Sequence, residues 1–310
     1  MVTIIIPVLN EADVIKITAN KVTEAFLREN IDFELLFIDD GSTDNTWQII
    51  EEIVQQSEYI LGIKLSRNFG KEGAIFAGLD HSQKDCVIIM DGDLQHPPEV
   101  AVQMYKLWVT GNYQIVEAVK KERQRESAIQ RLGAKFYYSA LKRLSGIALE
   151  NASDFKLLDK QVVDVLTKMP ERHTFFRAMT GWTGYSTMYL PYDVADRVGG
   201  TTKFNAMKLF KLAIDSIASY SSLPLHGVTL IGVVFCVFSV IMAAHTLYRF
   251  LLGHSLEGFT TVILLLLLIG GILMLSLGTI GIYIAKIYNE IKSRPRYIIA
   301  KKAENSYSGK

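Results

Sequence analysis

Between residues 2 and 118, short apolar runs alternate with amphipathic segments, and this alternation limits the possible folds more than any other feature of the chain. Strands that are separated by helices form a mostly parallel sheet through right-handed crossovers, so the sequence predicts an α/β domain. The predicted strands are Val2–Ile6, Phe33–Ile38, Tyr59–Leu65, Cys86–Met90 and Tyr113–Ala118. The first predicted helix runs from Glu11 to about Asn30 and has Val14, Ile17, Val22 and Phe26 on one face.

The fourth predicted strand ends in two carboxylates, Asp91 and Asp93, which Gly92 separates. Glycine lets the backbone approach a ligand closely, and carboxylate oxygens suit Mg²⁺ or Mn²⁺, which also bind the phosphate oxygens of a substrate. Open α/β sheets bind ligands at the carboxyl ends of their strands. A polar turn after a core strand is the alternative interpretation, so the pair alone leaves a metal site and a simple turn both open.

Three more polar loops follow predicted strands, and we expect them at the same edge of the sheet as Asp91. The chain contains neither a Gly-x-Gly-x-x-Gly motif nor a P-loop motif, which argues against dinucleotide and P-loop sites. Acidic clusters together with a metal suit a nucleoside diphosphate whose base and ribose are read by carboxylates. The loops are Pro7-Val8-Leu9-Asn10-Glu11, Asp39-Asp40-Gly41-Ser42 and Ser66-Arg67-Asn68-Phe69-Gly70-Lys71.

Charge and cysteine content exclude some classes of protein. The formal net charge is +1, which argues against a dedicated nucleic-acid-binding protein. The two cysteines, Cys86 and Cys236, have neither the spacing of a metal site nor that of a disulfide framework, so a reducing cytoplasm is the expected setting. The sequence starts directly with a strand, and no signal peptide is expected.

The last third of the chain contains two long apolar stretches, at about 227–248 and 259–285. Each is long enough to cross a bilayer, so the sequence predicts a two-helix transmembrane hairpin. Basic residues follow the second stretch, and the positive-inside rule then places both termini in the cytoplasm. Glycines in the second stretch suggest self-association into a homo-oligomer. The basic residues are Lys286, Lys292, Arg294, Arg296, Lys301 and Lys302, and the glycines are Gly270, Gly271, Gly278 and Gly281.

Four motifs occur together and in order: Pro7-x-x-Asn10-Glu11, Asp39-Asp40-Gly41-Ser42-x-Asp44-x-Thr46, Arg67-Asn68-x-Gly70-Lys71 and Asp91-x-Asp93-Leu94-Gln95-x-Pro97-Pro98. With them the chain resembles the family 2 glycosyltransferases, and among these the polyprenyl-phosphate glycosyltransferases, the group of dolichyl-phosphate mannose synthase and bactoprenol glucosyltransferase. The resemblance covers nearly the whole chain. It implies a GT-A fold and an inverting transfer of a sugar from a nucleotide sugar to a polyprenyl phosphate.

This resemblance assigns roles to the acidic residues. Asp39 or Asp40 would read the nucleobase or ribose, and Asp154 would return a carboxylate to the site, although it could also simply cap a helix. The predicted metal ligands for Mg²⁺ or Mn²⁺ are Asp91, Asp93 and Gln95. The predicted residues for binding the nucleotide sugar are Pro7, Asn10, Glu11, Asp39, Asp40, Ser42, Lys71, Asp91, Gln95 and Asp154.

Basic residues in the middle of the chain form the predicted acceptor site. If the resemblance holds, Arg123 and Arg131 lie beside the metal site, and arginine binds phosphate oxygens in a bidentate way. A solvated helix face is the alternative. Arg197, Thr202 and Lys203 match a basic loop that would close over the phosphates, while His173 would touch the diphosphate or lie on the surface. The predicted catalytic residues are Asp91, Asp93, Arg123, Arg131 and Lys203.

The acceptor determines the predicted mechanism. A phosphate monoester is already ionised near neutral pH and needs no general base, whereas a hydroxyl acceptor would need Asp93 or Asp154 as one. The leading expectation is transfer of glucose from UDP-glucose to undecaprenyl phosphate for glycosylation of the cell envelope. The alternatives are a GDP-mannose enzyme, a UDP-N-acetylglucosamine or aminoarabinose transferase, and an inactive nucleotide-binding membrane scaffold.

The predicted organisation has four parts. A cytoplasmic GT-A catalytic domain covers 1–202, and a juxtamembrane amphipathic helix on an anionic membrane surface covers 203–225, with a helix packed on the core as the alternative. Two transmembrane helices lie within 226–286, and a basic cytoplasmic tail covers 287–310. The expected location is the inner (plasma) membrane, where the hairpin would bring the catalytic domain to its lipid-borne acceptor.

Overall fold

The computed structural model describes residues 1–120, 153–171, 175–193, 223–252 and 258–305. These fall into two compact units. Residues 1–120, 153–171, 175–193 and 294–305 belong to the first unit, and residues 223–252 and 258–293 belong to the second.

The first unit is built on a sheet to which the described residues contribute eight strands. In order across the sheet these are β7-β5-β6-β4-β1-β2-β3-β8. The strands are β1 (Val2–Val8), β2 (Phe33–Asp39), β3 (Ile60–Leu65), β4 (Cys86–Ile89), β5 (Ile115–Lys120), β6 (Lys156–Asp159), β7 (Thr187–Tyr192) and β8 (Ile299–Ala303). The helices of this unit are α1 (Ile15–Arg28), α2 (Thr46–Gln56), α3 (Lys71–His81), α4 (Pro98–Thr110), α5 (Lys160–Lys168) and α6 (Phe176–Trp182).

The predicted α/β domain and its five strands are confirmed, but the sheet is more mixed than expected. Four neighbouring pairs among the described strands are parallel, and three are antiparallel. Strands β6, β7 and β8 were not predicted from the sequence. Strand β8 contains the exposed Lys301 and Lys302. Edge strands often carry lysines, so the sequence of β8 could be taken for a solvated basic tail.

Helix α1 is shorter than predicted, and the prediction that Ile17 belongs to its buried face is wrong. Its buried residues are Ile15, Thr18, Ala19, Val22, Ala25 and Phe26. They recur every three or four positions, as the core-facing side of a helix requires. Ile17 lies on the other side and is 43% exposed, because the true repeat begins at Ile15.

Strand directions bring the polar loops to one edge of the sheet. Strands β4, β1, β2 and β3 are parallel neighbours, so their carboxyl ends lie side by side. Strand β6 runs antiparallel to β4, with Ile89 opposite Lys156. Two residues beyond this pair, towards the same edge of the sheet, lie Asp91, which follows β4, and Asp154, which precedes β6. The strand register therefore places these two carboxylates near each other.

The second unit consists of two long helices, α7 (Leu223–Leu251) and α8 (Phe259–Ile291). Among the described residues, one helical stretch is long and apolar enough to cross a membrane: Leu268–Ala285 in α8, with a mean hydropathy of 2.1 and no buried part. Helix α7 contains the shorter apolar run Gly227–Met242. The two-helix transmembrane hairpin stays a prediction. In the predicted amphipathic helix, 203–222 lie outside the described residues and 223–225 begin α7.

We expect Gly41→Ala to destabilise the first unit because two costs coincide at this position. Gly41 has a φ of +73°, and an added Cβ would lie 2.5 Å from the backbone carbon of Arg67. The left-handed conformation costs a non-glycine residue about 1–2 kcal/mol, and the overlap adds about 1–3 kcal/mol. Gly184→Ala is the matched control, since Gly184 has a φ of +70° with open space around it. Thermal unfolding in detergent should show a larger loss for Gly41→Ala, and equal losses would contradict the close approach.

Candidate active site

A cavity of about 260 Å³ opens where the loops after β1, β2, β3 and β4 meet. Carboxylates from three of these loops reach it, together with a lysine from the start of α3. Six of the predicted site residues line it: Pro7, Glu11, Asp40, Lys71, Asp91 and Asp93. The other lining residues are Val8, Leu9, Asn68, Gly70, Ala74 and Gly92. The cavity is therefore acidic and lies at the edge where open α/β sheets bind ligands.

The turn after β4 is held in a tight conformation that presents its two carboxylates. Leu94 is buried and has a φ of +60°, which a non-glycine residue adopts only where its surroundings impose it. The Gln95 amide donates to Asp93 Oδ1 at 3.1 Å, and this bond closes the turn. An added Cβ on Gly92 would lie 2.5 Å from Glu11 Oε2. The glycine thus lets the loops after β1 and β4 pack against each other beside the cavity.

Lys71 joins two carboxylates that the strand register brings together. Its Nζ lies 2.5 Å from Asp91 Oδ1 and 2.9 Å from Asp154 Oδ2. Burial acts to lower the pKa of Lys71, but Asp91 and Asp154 outweigh it and hold this pKa above its usual value. Lys71 therefore remains charged and offsets the repulsion between the two acids.

Arg177 is a second cation that pairs with Asp154, and it was not among the predicted site residues. Its Nε donates to Asp154 Oδ1 at 2.7 Å and its Nη2 to Oδ2 at 2.9 Å. Burial would raise the pKa of Asp154, yet Arg177 and Lys71 together hold it well below its usual value. Asp154 is thus a firmly ionised and weakly basic carboxylate and does not cap a helix. The only signal in the sequence was the segment from Glu171 to Arg177, which resembles a family motif.

A buried ion pair fixes the backbone around Asp154. Lys156 Nζ lies 3.3 Å from Glu117 Oε2 and donates to Thr180 Oγ1 at 2.7 Å. Glu117 Oε1 accepts a hydrogen bond of 2.7 Å from the amide of Ser153. Burial lowers the pKa of Lys156, and the Glu117 carboxylate acts against this change. The pair ties β5, β6 and α6 together, so Asp154 and Arg177 are held in register with each other.

Asp40 and Asp39 have different surroundings, although either was a candidate for reading the nucleobase. Asp40 lines the cavity, and its carboxylate accepts bonds from the amides of Phe69 at 2.7 Å and Gly70 at 2.9 Å. Burial raises the pKa of Asp40, while these two amides oppose the rise. Asp39 is fully buried away from the cavity lining, where its Oδ1 accepts from the Ser42 amide at 2.8 Å. Of the two, Asp40 is the one that can reach a ligand.

Asn10, Ser42 and Gln95 were predicted to bind the nucleotide sugar, but they do not belong to the cavity lining. The Asn10 amide donates to Ser42 Oγ at 2.9 Å, and Asn10 Oδ1 accepts from the Thr43 amide at 2.9 Å. These bonds join the loops after β1 and β2. Gln95 contributes the backbone bond to Asp93 described above. In the structure the three residues shape the loops that carry the lining side chains.

His96 helps to position Asp91 through a hydrogen bond to its backbone. Its Nδ1 accepts from the Asp91 amide at 2.9 Å, and its ring stacks on Phe155 at 4.5 Å between centroids. Burial lowers the pKa of His96 to about 4, despite the neighbouring Asp91. The imidazole is therefore neutral at physiological pH, and it serves as a buried hydrogen-bond acceptor for the Asp91 amide.

The residues present fit a divalent ion that shares its coordination with a substrate. Asp91 and Asp93 both line the cavity, and carboxylates are the ligands that Mg²⁺ and Mn²⁺ prefer. The described residues contain no group of three or more His, Cys, Asp or Glu side chains placed to hold a metal. Two carboxylates plus substrate phosphates are a usual arrangement for Mg²⁺. Gln95, the third predicted ligand, does not line the cavity.

The residues predicted for the acceptor site, and His173, lie outside the described residues. They are Arg123, Arg131, Arg197, Thr202, Lys203 and His173.

Glu72, which follows Lys71 in α3, was not foreseen as part of this region. Its Oε2 accepts a bond of 2.8 Å from the amide of Phe176, which joins the first turn of α3 to the first turn of α6. Burial raises the pKa of Glu72 to about 7; the Phe176 amide opposes the rise and Asp154 adds to it. The protonation state of Glu72 therefore changes near neutral pH.

Sheet, cavity and paired carboxylates together describe an α/β domain with an acidic candidate active site, and comparisons with known proteins give its family. The family model described as glycosyl transferase family 2 matches residues 3–166. The "Prophage bactoprenol glucosyl transferase homolog" of Escherichia coli K12 is 35% identical over 300 residues, covering 96% of this chain and 98% of that protein. The "Bactoprenol glucosyl transferase" of Shigella phage SfII is 35% identical over 302 residues, covering 97% of each.

Two further proteins were also similar to this chain. The "Putative glycosyltransferase CsbB" of Bacillus subtilis is 34% identical over 301 residues, covering 96% of this chain and 91% of that protein. A glucosyl-3-phosphoglycerate synthase structure from Mycobacterium tuberculosis aligns with a TM-score of 0.47 at 18% identity, over 70% of this chain and 77% of that one. The chain belongs to glycosyl transferase family 2, in the polyprenyl-phosphate glycosyltransferase group. It is a glycosyltransferase, and its α/β fold with a mixed sheet is GT-A-like.

We expect Glu72→Gln to change the pH dependence of stability. Because the pKa of Glu72 rises from 4.5 to about 7 on folding, the folded state holds more protons in this range and loses stability as pH increases. Glutamine keeps an oxygen for the Phe176 amide but does not titrate. At about pH 8 the variant should be more stable than the wild type by roughly 1–3 kcal/mol, and the difference should vanish near pH 4.5.

Thermal unfolding between these pH values measures this effect. Glu304→Gln, at an exposed site of the same unit, is the control and should show no such trend. A stability difference for Glu72→Gln that stays constant with pH would contradict the raised pKa.

Proposed function

We propose that this enzyme transfers glucose from UDP-glucose to a polyprenyl phosphate, with inversion at the anomeric carbon. The observation that carries the proposal is the state of Asp154, which Arg177 and Lys71 keep ionised and weakly basic. A hydroxyl acceptor would need a strong general base, while an acceptor phosphate is already a nucleophile at neutral pH. Of the two carboxylates that could act as a base, Asp154 is thus poorly suited, and Asp93 is assigned to the metal below, so an ionised acceptor fits the site better.

The names of the relatives support the same acceptor and donor. Two of them are described as bactoprenol glucosyl transferases and align over nearly their full length. Bactoprenol is a polyprenol, so a polyprenyl phosphate is the acceptor we infer, and glucose is the sugar. The product would be a lipid-linked sugar for glycosylation of the cell envelope.

Asp91 and Asp93 would hold Mg²⁺ or Mn²⁺ together with the diphosphate of the donor. A bound divalent ion stabilises the negative charge that develops on the leaving diphosphate. Lys71 lies beside Asp91 and can balance part of the same charge from the protein side. Asp40, at the cavity wall, has lone pairs left after its two amide bonds and would accept from the nucleoside.

The acceptor phosphate must meet a second anion, the diphosphate of the donor, and this requires positive charge. We infer that Arg123, Arg131, Arg197 and Lys203 supply it, with a hydroxyl from Thr202. Arginine suits this role because its guanidinium binds two phosphate oxygens at once.

Membrane attachment would bring the acceptor within reach. The apolar stretch Leu268–Ala285 in α8 supports one span, and the shorter apolar run Gly227–Met242 in α7 would be the second. With two spans, both termini would lie on the cytoplasmic side of the plasma membrane, and self-association would involve the glycines of α8. The polar head of the acceptor could then lie at the interface while its isoprenoid tail stays in the lipid.

Transfer from a panel of nucleotide sugars to undecaprenyl phosphate tests the proposal. We expect turnover with UDP-glucose to exceed that with GDP-mannose and UDP-N-acetylglucosamine, and to be lost when EDTA removes divalent ions. Asp93→Asn should lower turnover by about 100-fold or more, because a metal contributes several kcal/mol to the transition state. The same variant should bind Mn²⁺ more weakly in an electron paramagnetic resonance titration.

Asp164→Asn, on the exposed side of α5, is the matched control and should behave like the wild type. Unchanged turnover and Mn²⁺ affinity in Asp93→Asn would remove the metal role. Preference for another donor would overturn the choice of sugar.

A further inference from the structure

We propose that Arg296, from the segment that follows α8, is a positioning residue for the active site. It connects α3 to the loop before α6, and these are the two elements that bring Lys71 and Arg177 to Asp154. In the sequence, Arg296 stands out only as one of the basic residues that would orient the chain in a membrane. The structure instead places its guanidinium against protein groups.

The Arg296 guanidinium contacts both the chain before α6 and helix α3. Its Nε donates to the carbonyl of Glu171 at 3.0 Å, and its Nη2 donates to the carbonyl of Met169. The guanidinium carbon lies 4.3 Å from the centre of the Phe76 ring in α3. One planar group thus stacks on a helix and at the same time binds two carbonyls of a neighbouring loop, a combination that lysine cannot reproduce.

The residues after Arg296 fasten the same segment to the sheet and to α3. Tyr297 Oη donates to Asp80 at 2.8 Å, near the end of α3. The Ile298 carbonyl accepts from the Ser66 amide at 2.8 Å, and β8 then pairs antiparallel with β3. Ser66 opens the loop that leads to Lys71. The segment therefore enters the sheet at the edge that carries the active site.

The segment also approaches the backbone of α3 closely. An added Cβ on Gly73 would lie 3.3 Å from the Arg296 carbonyl. Gly73 is the third residue of α3, two positions after Lys71. The first turn of α3 therefore lies against the C-terminal segment, and a shift of that segment would move Lys71.

The two elements that Arg296 connects carry the two cations on Asp154. Lys71 is the first residue of α3, and Arg177 is the second residue of α6. Their bonds to Asp154 measure 2.9 Å from Lys71 and 2.7 and 2.9 Å from Arg177. Glu72 already joins α3 to the Phe176 amide. Arg296 adds a second connection, at the other end of the loop that leads into α6.

This arrangement predicts an effect on catalysis rather than on folding alone. The pairing of β8 with β3 holds the tail by backbone bonds that do not involve the Arg296 side chain. Loss of the guanidinium should leave this pairing in place but loosen the loop before α6. Small displacements of catalytic groups can lower rates by about 100-fold. We therefore expect a loss in kcat with little change in donor KM.

Kinetics of the full-length enzyme in detergent test this inference. This first experiment rests on the proposed function, because it measures turnover. Arg296→Gln should lower kcat about 10-fold or more and change donor KM less than about threefold. Arg296→Lys should recover only part of the loss. Arg294→Gln removes the same charge from an exposed neighbour and should match the wild type. A kcat for Arg296→Gln within twofold of that for Arg294→Gln would overturn the inference.

Hydrogen exchange of the same variants needs no substrate, so it tests the connection even if the proposed donor or acceptor is wrong. Arg296→Gln should speed exchange of the amides in 169–171 and 175–177 and in the first turn of α3, while the amides between β3 and β8 stay protected. Equal loss of protection in β3 and β8 would mean that Arg296 only anchors the tail, and would overturn a positioning role. Inactivity of the wild type with UDP-glucose would count against the proposed function alone.

Discussion

The site depends on one electrostatic arrangement: Lys71 lies between Asp91 and Asp154 and forms an ion pair with each. The register of β4 against β6 brings these carboxylates together, and without a cation their repulsion would oppose the strand pairing that positions them. Arg177 adds a second positive charge beside Asp154. Lys71 and Arg177 are partly exposed, so solvent screens these pairs, but Asp154 is buried and depends on both cations to balance its charge. Fold and site are therefore linked at this point.

The same arrangement explains why the cations come from separate elements. Lys71 begins α3 and Arg177 belongs to α6, while Asp154 precedes β6. Each element is fixed by contacts outside the cavity: Glu117 and Lys156 hold Ser153 and Thr180. The C-terminal segment adds contacts with α3, although it follows the apolar helices in the chain. The charged groups of the candidate site are thus supported by residues far away in sequence, as precise positioning requires.

Much of this site could be predicted from sequence because its residues follow local rules. Carboxylates at the ends of apolar strands identify the cavity edge, and six predicted residues line the cavity. Features that depend on tertiary pairing could not be foreseen. The bond of Arg177 to Asp154 depends on how α6 packs, and β8 is recognisable only once β3 offers it an edge. Asn10 and Ser42 have the composition of ligand-binding residues, yet they bond to each other's loops. Residue type alone does not show whether such side chains bind a ligand or join two loops.

The most direct measurement is a double-mutant cycle between Lys71 and Asp154, with UDP affinity in Mg²⁺ measured by calorimetry. If Lys71 serves to balance the two carboxylates, Lys71→Met should weaken binding much less when Asp154 is already Asn. The account predicts a coupling energy of about 1 kcal/mol or more. Effects that add within about 0.5 kcal/mol would contradict it, because the two residues would then act independently.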